Sequence, residues 1–108
     1  MNWLLTEKRM QKILDTVVKD VQIPVSIIDI TGTIVASSKR ELIGQMEPFI
    51  RELAGNAKER SFIHEGKTYV RFFVDTKIPY YLEMEGITRI VENYSLLTAS
   101  LLETYIKC

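Results

Sequence analysis

The side chains of this sequence best suited to chemistry are hydrogen-bond donors able to converge on a small anion. Ser37 and Ser38 end an apolar segment, Arg40 follows two residues later, and Tyr69 and Arg71 alternate along a second segment. Serine hydroxyls donate single hydrogen bonds, whereas the planar guanidinium of arginine meets a carboxylate with two parallel bonds. These five residues predict a binding site for a small anionic metabolite such as a carboxylic acid.

The same residues also have simpler structural roles open to them. Ser37 and Ser38 suit the end of a strand and the N-cap of a following helix. Arg71 suits a surface ion pair with Glu83 or Glu85, a kind of contact that contributes little to stability. If Arg71 pointed inward, it would need a charge partner or a ligand, because burying a lone guanidinium is costly.

Residues for covalent or metal chemistry are sparse. His64 is the only histidine, and Cys108, the only cysteine, is the last residue. A zinc site would therefore lack its usual ligands, and no internal disulfide can form. The sequence contains neither the Gly-x-Ser-x-Gly elbow of serine hydrolases nor a phosphate-binding loop. We expect no enzyme activity, no metal and no cofactor, and we assign the aromatic residues near the second segment to packing.

Composition limits the partners. The 108 residues are 46% apolar and carry 14 basic and 14 acidic side chains, so the chain has no net charge. This is the balance of one globular domain, without the basic excess that attracts nucleic acid. Every apolar run is shorter than the roughly 20 residues of a membrane span, and the first residues do not resemble a signal peptide. We expect a soluble cytoplasmic domain with no direct contact to nucleic acid or membrane.

These candidate residues need a scaffold, which begins with a helix and a hairpin. Residues 1–22 carry an apolar stripe at helical spacing, with Thr6 as the predicted N-cap and Gln11 among the residues expected to face water. Trp3 and Leu4 precede that cap, either as an extra helical turn or as an apolar anchor for a partner chain. Residues 24–38 then alternate in the manner of two strands, and Thr31-Gly32 predicts a tight turn between them.

Period-two alternation predicts three more strands after a helical connector. Residues 39–44 suggest a short turn ended by Gly44, and Pro48 suits the first position of a helix. Strands follow over 61–64, 68–74 and 78–85, and residues 75–77 offer a turn between the last two. In the middle one, Val70, Phe72 and Val74 form the predicted core face, which leaves Arg71 on the other side. The whole order predicts an α+β domain in which residues 24–85 form a five-stranded antiparallel sheet with connector helices, flanked by N- and C-terminal helices. Helices are expected on one face of this sheet and at its ends.

The terminal helix, residues 87–107, carries more apolar surface than one sheet face can cover. A heptad-like seam runs along it through Ile90, Tyr94, Leu97 and Leu101. The helix either packs on its own domain, with some apolar residues left at its edge, or contacts a second copy of the chain. With Trp3 and Leu4, the seam forms the predicted homodimer interface.

This order of elements resembles PAS-like sensor modules. Within that group, residues 25–44 are similar to the N-terminal sugar-diacid recognition domain of bacterial carbohydrate-diacid regulators: Asp29 and Gly32 match the hairpin, and Ser38 with the segment to Gly44 matches the pocket. The family's histidine after Ile-Gly is replaced here by residues 45–48. The resemblance implies a ligand-sensing domain of a transcriptional regulator that signals through a dimeric terminal helix. The alternative is a ligand-free PAS-like module for dimerisation or protein interaction.

Overall fold

The part of the chain that the structure describes contains three α-helices and five strands. The computed structural model describes residues 3–19, 21–53, 58–74 and 77–106, apart from the side chains of Trp3 and Leu4. In chain order the elements are α1 (Trp3–Val17), β1 (Val25–Ile28), β2 (Ile34–Ser37), a 3-10 helix (Arg40–Leu42), α2 (Pro48–Leu53), β3 (Ser61–His64), β4 (Lys67–Phe72), β5 (Tyr80–Glu85) and α3 (Arg89–Ile106). The predicted α+β class and the order of elements are confirmed.

All five strands form one antiparallel sheet in the order β2-β1-β5-β4-β3. The hairpin β1–β2 therefore lies at one side of the sheet and the hairpin β3–β4 at the other. Strand β5, the last along the chain, lies between them and pairs with both β1 and β4. The final helix leaves directly from this inner strand.

The larger hydrophobic core lies between the sheet and the two long helices. Val70 and Phe72 point into it from β4, together with Val74 just beyond the strand, so the predicted core face of this segment is confirmed. From α1 and α3, fully buried side chains such as Leu14 and Leu102 cover the same sheet face. Burial of apolar side chains on this scale is the main contribution to folding stability.

A second, smaller core occupies the opposite sheet face, which differs from an expectation of helices on one face and at the ends. It is formed by Ile28, Ile34, Ile50, Tyr69 and Tyr81. Ile50 belongs to α2, so the connector helix covers part of this face. Tyr69, Tyr81 and Glu83, which alternate with the larger core along β4 and β5, are thus buried too, because a second layer packs on this face.

Helix α1 differs from its prediction at both ends. It begins at Trp3, so Thr6 lies inside the helix and is not its N-cap, and the extra turn is the correct alternative for the backbone of Trp3 and Leu4. The helix ends at Val17, before the predicted Gln22, and a further turn closes with Val21 N–H donating to the Val18 carbonyl.

The β1–β2 connection is longer than predicted. Gly32 N–H donates to the Asp29 carbonyl and Asp29 N–H to the Thr33 carbonyl, so the central turn residues are Ile30 and Thr31. Gly32 follows them with a φ of 88°. A turn followed by a left-handed glycine is a common three-residue hairpin loop.

The predictions that Gly44 ends the short turn and that Pro48 begins α2 are confirmed, whereas the predicted turn at 75–77 falls partly outside the described residues.

Candidate ligand sites around a buried polar row

A row of directly paired residues crosses the whole sheet on the α2 side. Its members, from β3 to β2, are Phe62, Tyr69, Glu83, Ser26 and Ser37. We call them the polar row, because four of the five carry polar groups and those four are buried. Polar groups in such a place are retained only when hydrogen-bonded.

At the β2 end of the polar row, the polar groups of Ser37 are hydrogen-bonded. Its hydroxyl lies 2.9 Å from that of Ser26 and 3.3 Å from the Val25 carbonyl oxygen. The side chain of Gln11 bonds both backbone groups of Ser37, accepting from its N–H and donating to its carbonyl, each at 2.8 Å. The prediction that Gln11 faces water is therefore wrong, because this side chain fastens α1 to the edge strand β2.

Tyr69 and Glu83 form the other end, where a third residue joins from outside the sheet. The Tyr69 hydroxyl lies 2.9 Å from Glu83 Oε2 and 3.1 Å from Glu47 Oε2. Lys67 Nζ lies 3.8 Å from Glu47 Oε1 and 3.9 Å from Glu83 Oε1. Glu47 is the residue before α2, so these contacts connect that helix to β4 and β5. We call Glu47, Tyr69 and Glu83 the carboxyl triangle.

Burial of Glu83, with the hydrogen bond and negative charge of Glu47, raises the Glu83 pKa to about 7. The Tyr69 hydrogen bond and the Lys67 charge act in the opposite direction but do not offset the burial. Burial and the two carboxylates also raise the pKa of Tyr69, so its phenol keeps its proton. The triangle thus contains a carboxyl group that titrates near neutral pH.

An open cavity of about 240 Å³ borders the triangle. It is lined by Met46, Glu47, Pro48, Phe49, His64, Glu65, Lys67 and Tyr69. The His64 ring stacks on Phe49 with 3.9 Å between centroids, and Phe49 packs edge-on against Tyr69. The two carboxylates of the lining, Glu47 and Glu65, outnumber its one lysine, Lys67, so this cavity is poorly suited to an anion.

A second open cavity, of about 250 Å³, lies beyond the C-terminal end of α1. It is lined by Asp15, Val18, Lys19, Val21, Gln22, Ile23, Pro24, Ser38 and Lys39. We call it the Ser38 cavity. Arg40 binds Asp15 at 2.8 Å, which neutralises the carboxylate of this lining and leaves the charges of Lys19 and Lys39. Two lysines beside a serine hydroxyl are suited to a small anion.

The five predicted ligand residues do not converge on one site. Ser37 and Tyr69 belong to opposite ends of the polar row, and Ser38 lines its own cavity while its hydroxyl accepts from Val25 N–H. Arg40 is held outside by Asp15. Arg71 faces the α2 side beside Tyr81, where its guanidinium donates to the Lys58 carbonyl and lies 5.8 Å from the Phe73 ring.

The predicted interface residues divide between packed and exposed positions. Ile90 and Leu97 on α3 are 79% and 60% exposed. Leu101 is half-buried, and the Tyr94 hydroxyl donates to the Val17 carbonyl of α1 at 3.2 Å, so Tyr94 packs within the chain. The side chains of Trp3 and Leu4 lie outside the described part.

Glu47 and Glu83 are the functional candidates that sequence reasoning missed. Glu83 was considered only as a surface partner for Arg71, since a glutamate in an alternating strand normally faces water. The signal that was available is the alternation itself, which places Glu83 on the same face as Tyr81, in a segment with apolar residues on the other face. Glu47 gave no comparable signal because its role depends on the path of the connector.

The chain matches no family model, no curated protein and no solved structure. Among the described residues, no helix is long and apolar enough to cross a membrane. The described part also contains no group of three or more histidine, cysteine or acidic side chains placed to hold a metal ion.

Proposed function

We propose that this chain is a small-molecule-sensing regulatory domain, without enzyme activity, of a bacterial and cytoplasmic transcriptional regulator. It takes a small anionic metabolite of the carboxylic acid class and transmits the ligand state through a dimer of its terminal helix. The observation that carries the proposal is the Ser38 cavity, where two lysines and a serine hydroxyl lie against the end of α1. At roughly 30 Å³ per water molecule, its volume suits a metabolite of about ten heavy atoms or fewer.

The position of this cavity gives ligand binding a route to the terminal helix. The cavity is lined from α1 by Asp15 and from the segment that follows it by Val18. Between them, the Val17 carbonyl accepts the Tyr94 hydroxyl of α3, and nearer the start of α1 Arg9 donates to the Tyr105 carbonyl at 3.0 Å. A ligand that prefers one position of α1 therefore biases α3, which is the differential affinity that coupling requires.

The output surface in this proposal is the outer face of α3. Ile90 and Leu97 are exposed there, one heptad apart, although the opposite side of the same helix is fully buried. Apolar residues at this spacing suit the seam of a second, identical helix. The proposed partner is a second copy of the chain, and no membrane or nucleic acid is proposed to contact this domain.

Ligand binding and oligomeric state are measured in two separate experiments. NMR titration with small mono- and dicarboxylates should shift the amides of residues 18–23 and 38–39, and the double variant K19A/K39A should lose binding by about tenfold or more. The matched control K8A/K12A removes two exposed lysines elsewhere on α1 and should bind as the unmodified chain does. Absence of any carboxylate-dependent shift would overturn the sensing proposal.

Native mass spectrometry tests the dimer. Leu97→Glu should convert a dimer into a monomer, whereas Ile43→Glu, a comparable change at an exposed isoleucine just after the 3-10 helix, should not. A dimer that carries no ligand and ignores every carboxylate would instead favour the second candidate, a ligand-free PAS-like dimerisation module. That candidate is favoured by the α2 face, where Ile50, Tyr69 and Tyr81 fill the space between helix and sheet.

A further inference from the structure

The carboxyl triangle has one hydrogen fewer than its geometry can use when both glutamates are charged. The Tyr69 oxygen lies within 3.1 Å of both carboxyl groups, but a phenol has a single proton to donate. If one glutamate is protonated, Tyr69 donates to the charged carboxylate and accepts from the neutral carboxylic acid. One extra proton therefore satisfies all three groups, and without it two acceptors compete for one donor.

The surroundings of Glu83 favour that extra proton. The Glu83 side chain is 9% exposed, so solvent does little to screen a second negative charge beside it. The only cation within 4 Å among the described residues, Lys67, is shared with Glu47. The raised pKa of Glu83 agrees with this geometry.

Other polar and titratable groups face the triangle or lie around it, and none replaces the extra proton. From β1, the Ser26 hydroxyl stands beside Glu83 in the polar row but lies 2.9 Å from that of Ser37. The remaining groups are His64 and Glu65 across the cavity, Glu85 opposite Lys67 on β5, and Arg71 further along β4.

Glu47 connects the triangle to two elements at once. Its N–H donates to the Gly32 carbonyl at 2.6 Å, which fixes the β1–β2 loop, and its carbonyl accepts from Ile50 N–H in the first turn of α2. Its side chain reaches Tyr69 and Glu83 and so adds polar contacts to the packing of Phe49 and Ile50 against β4 and β5. Loss of the Glu47 side-chain contact removes the polar part of this attachment and leaves the start of α2 held by Phe49 and Ile50 alone.

We propose that the carboxyl triangle is a proton-operated latch that holds α2 against the sheet. With the extra proton bound, Glu47 and Glu83 share hydrogen bonds through Tyr69 and the latch is closed. Without it, the two adjacent carboxylates repel each other, Glu47 turns toward solvent, and α2 loosens while the α1 and α3 side stays packed. The latch requires neither a ligand in the Ser38 cavity nor a dimer, so it stands apart from the proposed function.

The direction of the pH dependence follows from linkage. Glu83 binds its proton more tightly in the closed state than in an open or unfolded one, where its pKa returns toward 4.5. The closed state is therefore favoured most at acidic pH, and this preference is lost as pH rises to about 7. The informative comparison is pH 5 against pH 8.

The test is hydrogen exchange of the segment 46–53 at both pH values, corrected for the intrinsic effect of pH on exchange. The unmodified chain should exchange about tenfold faster or more in this segment at pH 8, while α3 amides change much less. Glu83→Gln, a neutral carboxamide of the same shape, should remove the difference. The matched control Glu65→Gln changes an exposed glutamate of the same cavity and should retain it, as should His64→Gln, which removes the nearby histidine.

Two outcomes would overturn the latch. One is exchange in 46–53 that does not depend on pH, and the other is a change of equal size in α3, which would indicate global rather than local opening. If Glu83→Gln fails to fold, NMR of the glutamate side-chain carbons in the unmodified chain still decides the matter. One carboxyl should titrate near pH 7, and its absence refutes the proposal.

Discussion

Lys67, together with the hydrogen bond from Tyr69, lowers the Glu83 pKa and so opposes the effect of burial. Its ammonium group is half-exposed and close to both glutamates, so it stabilises their charged forms only partly. A half-exposed lysine of this kind does not belong to the core, but its charge influences the pH at which a buried carboxyl group titrates.

Replacing Lys67 by methionine should move the Glu83 titration to higher pH. The lysine charge lowers the Glu83 pKa, so its loss favours the protonated acid. Because an exposed ion pair contributes about 0.2–1 kcal/mol, the expected shift is less than about one pH unit. NMR titration of the glutamate carboxyls measures it, with Lys8→Met as the control; a midpoint that stays or falls would contradict this account of the triangle.

Two features require glycine at position 32: the backbone conformation there and the close approach of the Glu47 carbonyl oxygen. A Cβ at this position would lie 2.6 Å from the Glu47 carbonyl oxygen, and the φ of +88° is one that side chains rarely adopt. Gly32→Ala should therefore lower the free energy of unfolding by about 2–4 kcal/mol. Gly44→Ala is the matched control, since its φ is +96° but nothing lies within 4 Å. It should cost about 1–2 kcal/mol. If urea denaturation gave equal losses in the free energy of unfolding for the two variants, the contact with Glu47 would be unimportant.

Among the elements, α3 is attached to the sheet by a polar clasp as well as by apolar packing. The Glu103 carboxylate accepts from Arg60 Nη2 at 2.9 Å and from Phe73 N–H at 3.0 Å. One side chain thus fixes the helix against the segment before β3 and against the end of β4. These contacts determine where the exposed face of α3 is directed.

Glu103→Ala should lower the free energy of unfolding by about 1–3 kcal/mol, because it leaves the half-buried Phe73 N–H without this acceptor. Glu92→Ala, in the first turn of the same helix, should cost below about 1 kcal/mol, since an exposed carboxylate there interacts only with the helix dipole. Thermal melting of the two variants compares them directly. A loss no larger at Glu103 than at Glu92 would refute the clasp.

Periodicity was sufficient to predict the elements but not what covers each sheet face. Val70 and Phe72 alternate with Tyr69 and Arg71, so the sequence predicts the two faces of β4 correctly. The burial of Tyr69 depends on α2, whose path over the sheet is a tertiary property. Thr6 was misread because a capping residue type also occurs inside helices, and Glu47 was missed because the contacts of a loop residue depend on strands distant in sequence.

At the scale of the whole molecule, the sheet is the shared wall of two cores. Residues of β1 and β5 contribute alternately to the larger core and to the smaller one, as Ile27 and Ile28 do. A strand therefore cannot leave one core without disturbing the other. The proposed functions use this arrangement differently: the Ser38 cavity borders the helix side, and the latch acts on the α2 side.

This shared wall predicts a single unfolding transition at pH 5, where the latch is closed. Ile50→Ala in the smaller core and Leu102→Ala in the larger one each remove a side chain that is 0% exposed, so each should cost about 2–5 kcal/mol. Because the strands couple the cores, helical circular dichroism and tyrosine fluorescence should shift together in both variants. Ile43→Ala, at an isoleucine that is 40% exposed, is the control and should cost below about 1 kcal/mol. If Ile50→Ala shifted only the tyrosine signal and left the helical transition unchanged, the α2 side would unfold as an independent unit and the two cores would not be coupled.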